Sequence, residues 1–249
     1  MIEAQTDSPV YLYSKAEGVG VSNITASNQL ISPLIFNGYG FGLFKSIFKE
    51  KENTSWYYNS NVSYGYLSNN NNIYGISNVN FEKNISYLFS IYGHGADRFQ
   101  LKAGIAGIGF LEFLYKNGNT NNPFTYVCHF SAGLGLHGKY SLNVLNWNVF
   151  INNYFCFPVL GVLSSSGYAE SQPDFTSKYY SFKASSFSNN RTFYNNYYID
   201  FKHKIGGLEN RFSWRLGICS QISFQPNSNY NRLVSNTFYL GRIVNIYSW

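Results

Sequence analysis

Fifteen consecutive residues, Asn210 to Phe224, alternate between two chemically different sides. One side is Arg211, Ser213, Arg215, Gly217, Cys219, Gln221 and Ser223; the other is Phe212, Trp214, Leu216, Ile218, Ser220, Ile222 and Phe224. A period of two is the signature of a β-strand with one apolar and one polar face. Fifteen residues exceed the usual length of a strand in a soluble domain. They suit a tilted strand that crosses a bilayer in about 9–11 residues and continues beyond it.

The pattern recurs along the chain. In Tyr126 to Lys139, Tyr126, Cys128, Phe130, Ala132, Leu134 and Leu136 point one way, and Val127, His129, Ser131, Gly133, Gly135, His137 and Lys139 the other. In Trp56 to Tyr66 the outward set is Trp56, Tyr58, Ser60, Val62, Tyr64 and Tyr66. In Asn146 to Phe157 it is Trp147, Val149, Ile151, Phe155 and Phe157, with Asn146, Asn148, Asn152 and Tyr154 inward. In Tyr197 to Ile205, Tyr198, Asp200, Lys202 and Lys204 oppose Ile199, Phe201 and Ile205. Further strands are predicted at about 8–22, 33–48, 71–92, 97–117, 176–187 and 230–248, separated by turn-forming runs such as Asn69-Asn70-Asn71-Asn72, Gly206-Gly207 and Pro226-Asn227-Ser228-Asn229. The Gly206-Gly207 pair reads as a tight periplasmic hairpin, and Ser164 to Ser177 as the longest extracellular connection.

No stretch approaches the roughly 20 apolar residues of a membrane helix; the longest apolar run, Ala103 to Leu111, is short and Gly-rich. A membrane-spanning reading therefore requires a closed barrel, because only helices and barrels satisfy their own backbone in lipid. Composition agrees. Aromatic residues make up 20% of the chain and charged residues only 12%, against about 25% charged in typical soluble domains, while mean hydropathy is slightly polar at −0.21. The predicted fold is all-β: an antiparallel transmembrane β-barrel, one domain over residues 1–249, with 1–8 as a periplasmic segment. Eleven segments are legible and single-chain barrels favour even numbers, so about twelve strands are expected, with ten as the alternative. The soluble rival, a β-sandwich or lipocalin-like barrel, has the same period with its faces reversed. Strand length and large aromatics near strand ends (Trp56, Tyr66, Tyr126, Trp147, Trp249) favour the membrane, where aromatic girdles mark the interfaces.

The last segment, Tyr230 to Trp249, ends on an aromatic; counting back in twos from Trp249 gives Tyr247, Asn245, Ile243, Gly241 and Tyr239. Tyr247 and Trp249 read as a C-terminal signal for the barrel assembly machinery. Residues Met1 to Gln5 lack the basic and apolar regions of a secretory signal; the signal is taken as removed and the location as the outer membrane of a Gram-negative bacterium, with a cytosolic protein that never had one as the alternative. The net charge of +6 is read as basic lumen and loops that meet outer-membrane lipid and lipopolysaccharide. Lys and Arg form no stripe or motif for nucleic acid.

In barrel orientation the lumen collects His129, Ser131, His137, Lys139, Asp200, Lys202, Lys204, Arg211, Arg215 and Arg242. Small barrels fill their interior with such side chains, and Asp200 with Lys202 and Arg211 across the Gly206-Gly207 hairpin would form an ion-pair ladder. A sharper reading is His129-Phe130-Ser131, a base and a nucleophile two apart on one strand face. It resembles the His-x-Ser-Asn signature of outer-membrane lipid A deacylases, but Ala132 stands where Asn is needed, the pair faces inward, and no acidic residue follows within fifteen positions to orient the His. His129 and His137 are too far apart along one strand to share an ion, so neither metal nor cofactor is expected. Cys128, Cys156 and Cys219 form no C-x-x-C; Cys156 and Cys219 share a face class, which leaves a disulfide between them open.

The C-terminal part resembles an uncharacterised family of Bacteroidota-type outer-membrane proteins known only as a domain of unknown function. The features are Pro158-Val159-Leu160-Gly161, Ser166-Gly167-Tyr168-Ala169-Glu170-Ser171, Phe187-Ser188-Asn189-Asn190, Tyr198-Ile199-Asp200-Phe201, Arg215-Leu216-Gly217 and Phe238-Tyr239-Leu240-Gly241. The resemblance implies a membrane barrel and supplies no activity. The expected role is a non-enzymatic accessory or structural subunit beside other outer-membrane proteins. A narrow channel with a basic lumen is the alternative, and a lipid hydrolase using His129 and Ser131 the second.

Overall fold

The computed structural model describes residues 11–28, 32–51, 53–69, 75–93, 97–116, 124–165, 183–186, 191–205, 208–225 and 231–248. Within them the chain forms β1 (Tyr11–Asn28), β2 (Ser32–Glu50), β3 (Thr54–Ser68), β4 (Gly75–Tyr92), β5 (Phe99–Lys116), β6 (Phe124–Val144), β7 (Trp147–Ser165), β8 (Lys183–Ser186), β9 (Arg191–Ile205), β10 (Leu208–Gln225) and β11 (Asn231–Ser248). All pairings are antiparallel. Strand order runs β6-β5-β4-β3-β2-β1-β11-β10-β9-β7, and β6 pairs with β7 to close the ring.

The barrel therefore has ten strands, the alternative count and not twelve. The segment predicted at 176–187 contributes only β8, four residues that pair with Leu160–Leu163 of β7. They lie above the point where β7 leaves β9, whose pairing with β7 extends only to Cys156↔Tyr194. The segment predicted at 71–92 is one continuous strand from Gly75.

The register fixes the stagger. From Glu17 through Lys45, Ser60, Lys83 and Gly109, the cross-strand path meets β6 at Phe130. From Glu17 the other way, through Arg242, Trp214, Phe201 and Val149, it meets β6 at Leu142. The two arrivals differ by twelve residues. With ten strands spaced about 4.8 Å apart and rising about 3.3 Å per residue, that stagger inclines the strands at about 40°, the tilt at which barrels of this size close. A strand of eighteen residues then climbs well past the apolar band of about 25 Å that a membrane barrel presents.

Inside and outside positions alternate along the strands, interrupted at a few bulges. In β3 the odd positions Ser55 to Leu67 are buried, while Trp56, Val62, Tyr64 and Tyr66 are exposed. The interior is the mostly polar side: Ser22, Asn59, Asn78, Glu82, Asn84, Lys102, His129 and Arg215 are buried. The exposed side carries Val19, Phe41, Leu43, Ile85, Ile105, Phe130, Leu134, Trp214, Leu216, Phe238 and Leu240. A polar inside and an apolar outside exclude the soluble rival and define a barrel that spans a membrane.

One strand reads opposite to its sequence pattern. Tyr239, Gly241 and Ile243 of β11 face the lumen, and Phe238, Leu240, Arg242 and Val244 face out. Both sides of β11 are apolar enough to satisfy a period-two reading, and the ring-filled interior at this level takes the tyrosine. Short connections between the ends of β2/β3, β6/β7 and β9/β10 lie at the end bearing the chain termini, which in bacterial barrels is the periplasmic end. The β6/β7 turn is two residues, Leu145 and Asn146, with Leu145 at φ 53; Asn146 thus belongs to the turn and is exposed.

Candidate functional site

Among the described residues the lumen is the polar interior, and side chains fill it in four layers. The lowest is ionic. Arg215 donates from Nε to Asp200 Oδ1 at 2.6 Å and from Nη2 to Asp200 Oδ2 at 2.8 Å, a bidentate pair. It also donates to Ser46 Oγ at 2.5 Å and lies 3.8 Å from the Tyr198 ring centre. Across the lumen Glu50 accepts from Lys102 and, at 3.4 Å, from Lys139, and Lys102 donates to Ser55 Oγ at 2.6 Å. Lys139 and Lys202 flank the Phe150 ring at 5.2 and 5.0 Å. A cavity of about 80 Å³ lies among Glu50, Lys139, Phe150, Asp200, Lys202 and Arg215.

A bulge makes this layer possible. At the hairpin Ile205 faces Leu208 and Lys204 faces Glu209; further up, Lys202 faces Ser213 and Asp200 faces Arg215, after a shift between Glu209 and Ser213. Without that two-residue shift Lys202 would sit opposite Arg211, and Asp200 opposite Ser213. The shift replaces a like-charge pair with an opposite-charge pair. The predicted ladder of Asp200 with Lys202 and Arg211 is thus corrected: the partner of Asp200 is Arg215.

Above the ions lie five buried tyrosines, Tyr57, Tyr154, Tyr194, Tyr198 and Tyr239. Asn196 links two of them, donating from Nδ2 to Tyr57 Oη at 2.9 Å and accepting at Oδ1 from Tyr239 Oη at 2.5 Å. Asn59 donates to Tyr194 Oη, and Tyr154 Oη bonds Ser86 Oγ. Tyr57 and Tyr154 pack at 4.2 Å between ring centres, and Phe44 and Tyr239 at 4.1 Å. Glycine makes the room: a Cβ on Gly217 would lie 2.5 Å from Tyr239 Cζ, and one on Gly241 would overlap Phe44 Cζ.

The third layer is a side-chain hydrogen-bond network around two carboxyl groups. Asn84 donates to Glu82 at 2.7 Å, Asn78 to Glu112 at 2.7 Å and Asn80 to Gln221 at 3.3 Å, and Ser22 and Thr237 share a bond of 2.8 Å. The fourth layer, at the end of the long connections, is apolar: Ile24, Phe36, Leu67, Ile76, Phe110, Leu114, Val127, Leu163 and Leu233 form one cluster.

Of the residues singled out in the sequence, Asp200, Lys202 and Arg215 come together in the ionic layer. His137 joins them through ring contact with Phe48 at 5.2 Å. Arg242 does not: it is exposed on the outer wall, one step out of phase with Tyr239 and Ile243. The side chains of Lys204, Arg211 and Tyr247, the whole of Trp249 and the Gly206-Gly207 pair lie outside the described residues, as does 166–182. His129 and Ser131 face the lumen on β6 as their phase predicts, but Ser131 Oγ makes no hydrogen bond, so no nucleophile–base contact exists in this arrangement. Among the described residues no cluster of three or more His, Cys, Asp or Glu is placed to hold a metal. All three cysteines are free thiols, which closes the disulfide left open for Cys156 and Cys219. Sequence reading missed Glu50, Lys102, Glu82, Glu112 and the tyrosine layer. The signal was present: Tyr154 and Tyr198 sit in phase with Asn152 and with Asp200, on the polar side of their strands.

A ten-stranded barrel with an apolar outer wall and a filled, largely polar interior is an integral outer-membrane protein. No family model matches the chain, and no curated protein matches it. Solved structures similar to it in shape include the outer membrane protease OmpT from Escherichia coli, at 8% identity, 98% coverage of each chain and a TM-score of 0.49. The translocator domain of the autotransporter NalP from Neisseria meningitidis is similar at 9% identity, covering 96% of this chain and 89% of that one, with a TM-score of 0.38. Neisserial surface protein A is similar at 10% identity, 94% and 97% coverage and a TM-score of 0.34.

Proposed function

We propose that this protein is a non-enzymatic, non-conducting barrel that serves the outer membrane as a structural or accessory subunit. One observation carries the reading: the tyrosine layer crosses the lumen between the ionic layer and the hydrogen-bonded carboxyl layer. A wide diffusion pore needs about 16–18 strands, and ten strands enclose only enough space for side chains. The ionic layer is internally paired, Arg215 with Asp200 and Glu50 with Lys102 and Lys139, in the manner of a structural lock. Neighbouring outer-membrane proteins are the partners this role implies, and the Bacteroidota-type resemblance fits a barrel of this kind.

A narrow channel is the second reading, favoured by the cavity of about 80 Å³ among the cations of the ionic layer. Planar-bilayer recording separates the two. The folded wild-type barrel, verified by heat-modifiable gel mobility, is expected to be silent. The Tyr57→Ala/Tyr154→Ala/Tyr198→Ala variant is expected to conduct, because it removes three rings from the constriction. Steady single-channel steps from the wild type that change with Arg215→Ala would overturn the structural reading in favour of the channel.

A further inference from the structure

The outer wall carries a charged group where lipid is expected. On β11, β1 and β2 the outward residues Lys15, Glu17, Lys45, Lys49 and Arg242 lie together, all within six residues of the strand ends on the periplasmic side. The register places Arg242 and Lys45 on either side of Glu17. Lys15 Nζ lies 2.7 Å and Lys45 Nζ 3.7 Å from the same Glu17 carboxylate oxygen. Two lysines thus share this anion, and Arg242 and Lys49 add two further cations to the same outer wall. A lipid-facing Lys or Arg costs about 2–4 kcal/mol at the midplane, falling to about 0–1 at the interface. These positions lie toward the periplasmic end, where long basic side chains on a membrane wall find the interface.

Aromatic residues mark that interface. Trp56 is paired with Lys49, and Trp214 with Arg242; both tryptophans are exposed on the same outer wall. Lys49 also lies 5.5 Å from the Tyr13 ring centre. Tryptophan and tyrosine at this depth sit at the headgroup level. A basic group between interfacial aromatics, with a net charge of three positives, complements a phosphate.

We propose that the outer face of β11, β1 and β2 binds the phosphate of an anionic phospholipid in the periplasmic leaflet, with Lys45, Lys49 and Arg242 as its ligands. Lys15 stays with Glu17, which sets the spacing of the others. The site lies on the opposite side of the wall from the lumen, so it stands or falls apart from the conductance reading.

The test uses the full barrel in phosphatidylcholine vesicles that contain one mole in ten of brominated lipid. Bromine quenches tryptophans near it, and Trp56 and Trp214 flank the site. Brominated phosphatidylglycerol is expected to quench as though enriched about fivefold over brominated phosphatidylcholine, the enrichment that roughly one effective cation at an anionic headgroup supports. Lys45→Gln/Lys49→Gln/Arg242→Gln should erase the preference and leave quenching by brominated phosphatidylcholine unchanged. Glu17→Gln should strengthen it and serves if the triple variant does not fold. Equal quenching by the two lipids in the wild type, or a preference that survives the triple variant, would overturn the proposal. Loss of the preference on adding millimolar inorganic phosphate would show a site for bare phosphate and overturn the lipid assignment.

Discussion

Asp200→Ala is the most informative single perturbation. It removes the carboxylate that accepts from both Nε and Nη2 of Arg215. It leaves a guanidinium with 3% of its side chain exposed, against one hydroxyl, Ser46, and the face of Tyr198. Removing one partner of a buried pair costs about 3–5 kcal/mol, chiefly because the remaining charge is uncompensated, whereas replacing both partners with apolar groups of similar size is often neutral. Asp200→Ala is therefore expected to destabilise by about 3–5 kcal/mol, and Asp200→Leu/Arg215→Met to stay within about 1 kcal/mol of wild type. The assay is urea unfolding of the barrel in lipid vesicles, followed by tryptophan fluorescence, under conditions where folding and unfolding curves coincide. The midpoint should move while the slope stays constant, since the surface exposed on unfolding is the same. A loss below about 1 kcal/mol for Asp200→Ala would mean that water solvates Arg215 through the neighbouring cavity, and that the pair is not buried in the energetic sense. A double variant as unstable as the single would refute the reasoning in another way, by showing that hydrogen bonds rather than charge compensation hold this layer.

Two further outcomes follow from the tyrosine layer and the thiols. Gly217→Val should destabilise by about 1–3 kcal/mol through overpacking against Tyr239, while Gly107→Ala, whose nearest neighbour would be Ile85 O at 3.9 Å, should be indistinguishable from wild type in the same unfolding assay. A water-soluble maleimide should leave the buried Cys156 and Cys219 unlabelled in the folded barrel and label both in denaturant, with no disulfide-dependent shift on a non-reducing gel; rapid labelling of either in the folded state would show an open lumen.

The legibility of the sequence differed from strand to strand for a physical reason. β6 and β10 were readable residue by residue because the two sides differ in polarity: Phe130 and Leu134 against His129 and His137, Trp214 and Leu216 against Ser213 and Arg215. β11 was not, because its lumen side carries Tyr239 and Ile243 while its outer side carries Arg242. β2 is equally mixed, with Phe44 and Phe48 inside and Lys45 and Lys49 outside. A period-two pattern reports that a strand has two sides, not which side meets lipid, wherever the lumen is packed with rings and the wall touches headgroups. The ionic layer was half visible. Asp200, Lys202 and Arg215 fell on the correct face, but their pairing depends on a bulge near the β9/β10 hairpin that no local turn signal in the chain announces. Glu50 and Lys102 come from strands distant in sequence, and only the closed ring brings them together.

That closure has a kinetic consequence. The bonds that fill the lumen join strands far apart in the chain: Arg215 to Ser46, Ser22 to Thr237, Asn196 to Tyr57. The seam between β1 and β11 pairs Tyr11 with Ser248, almost end to end. An open sheet on its way into the bilayer can form its hairpins one by one, yet it gains almost none of these cross-lumen contacts until the first and last strands meet. Contacts of such sequence separation come late and slowly. Partly assembled barrels of this protein therefore expose a wet, unmatched interior. Insertion should behave as a single late event: the Asp200–Arg215 pair can form within its hairpin, but the Arg215–Ser46 and Asn196–Tyr57 links form only as the ring shuts, and hold it shut afterwards.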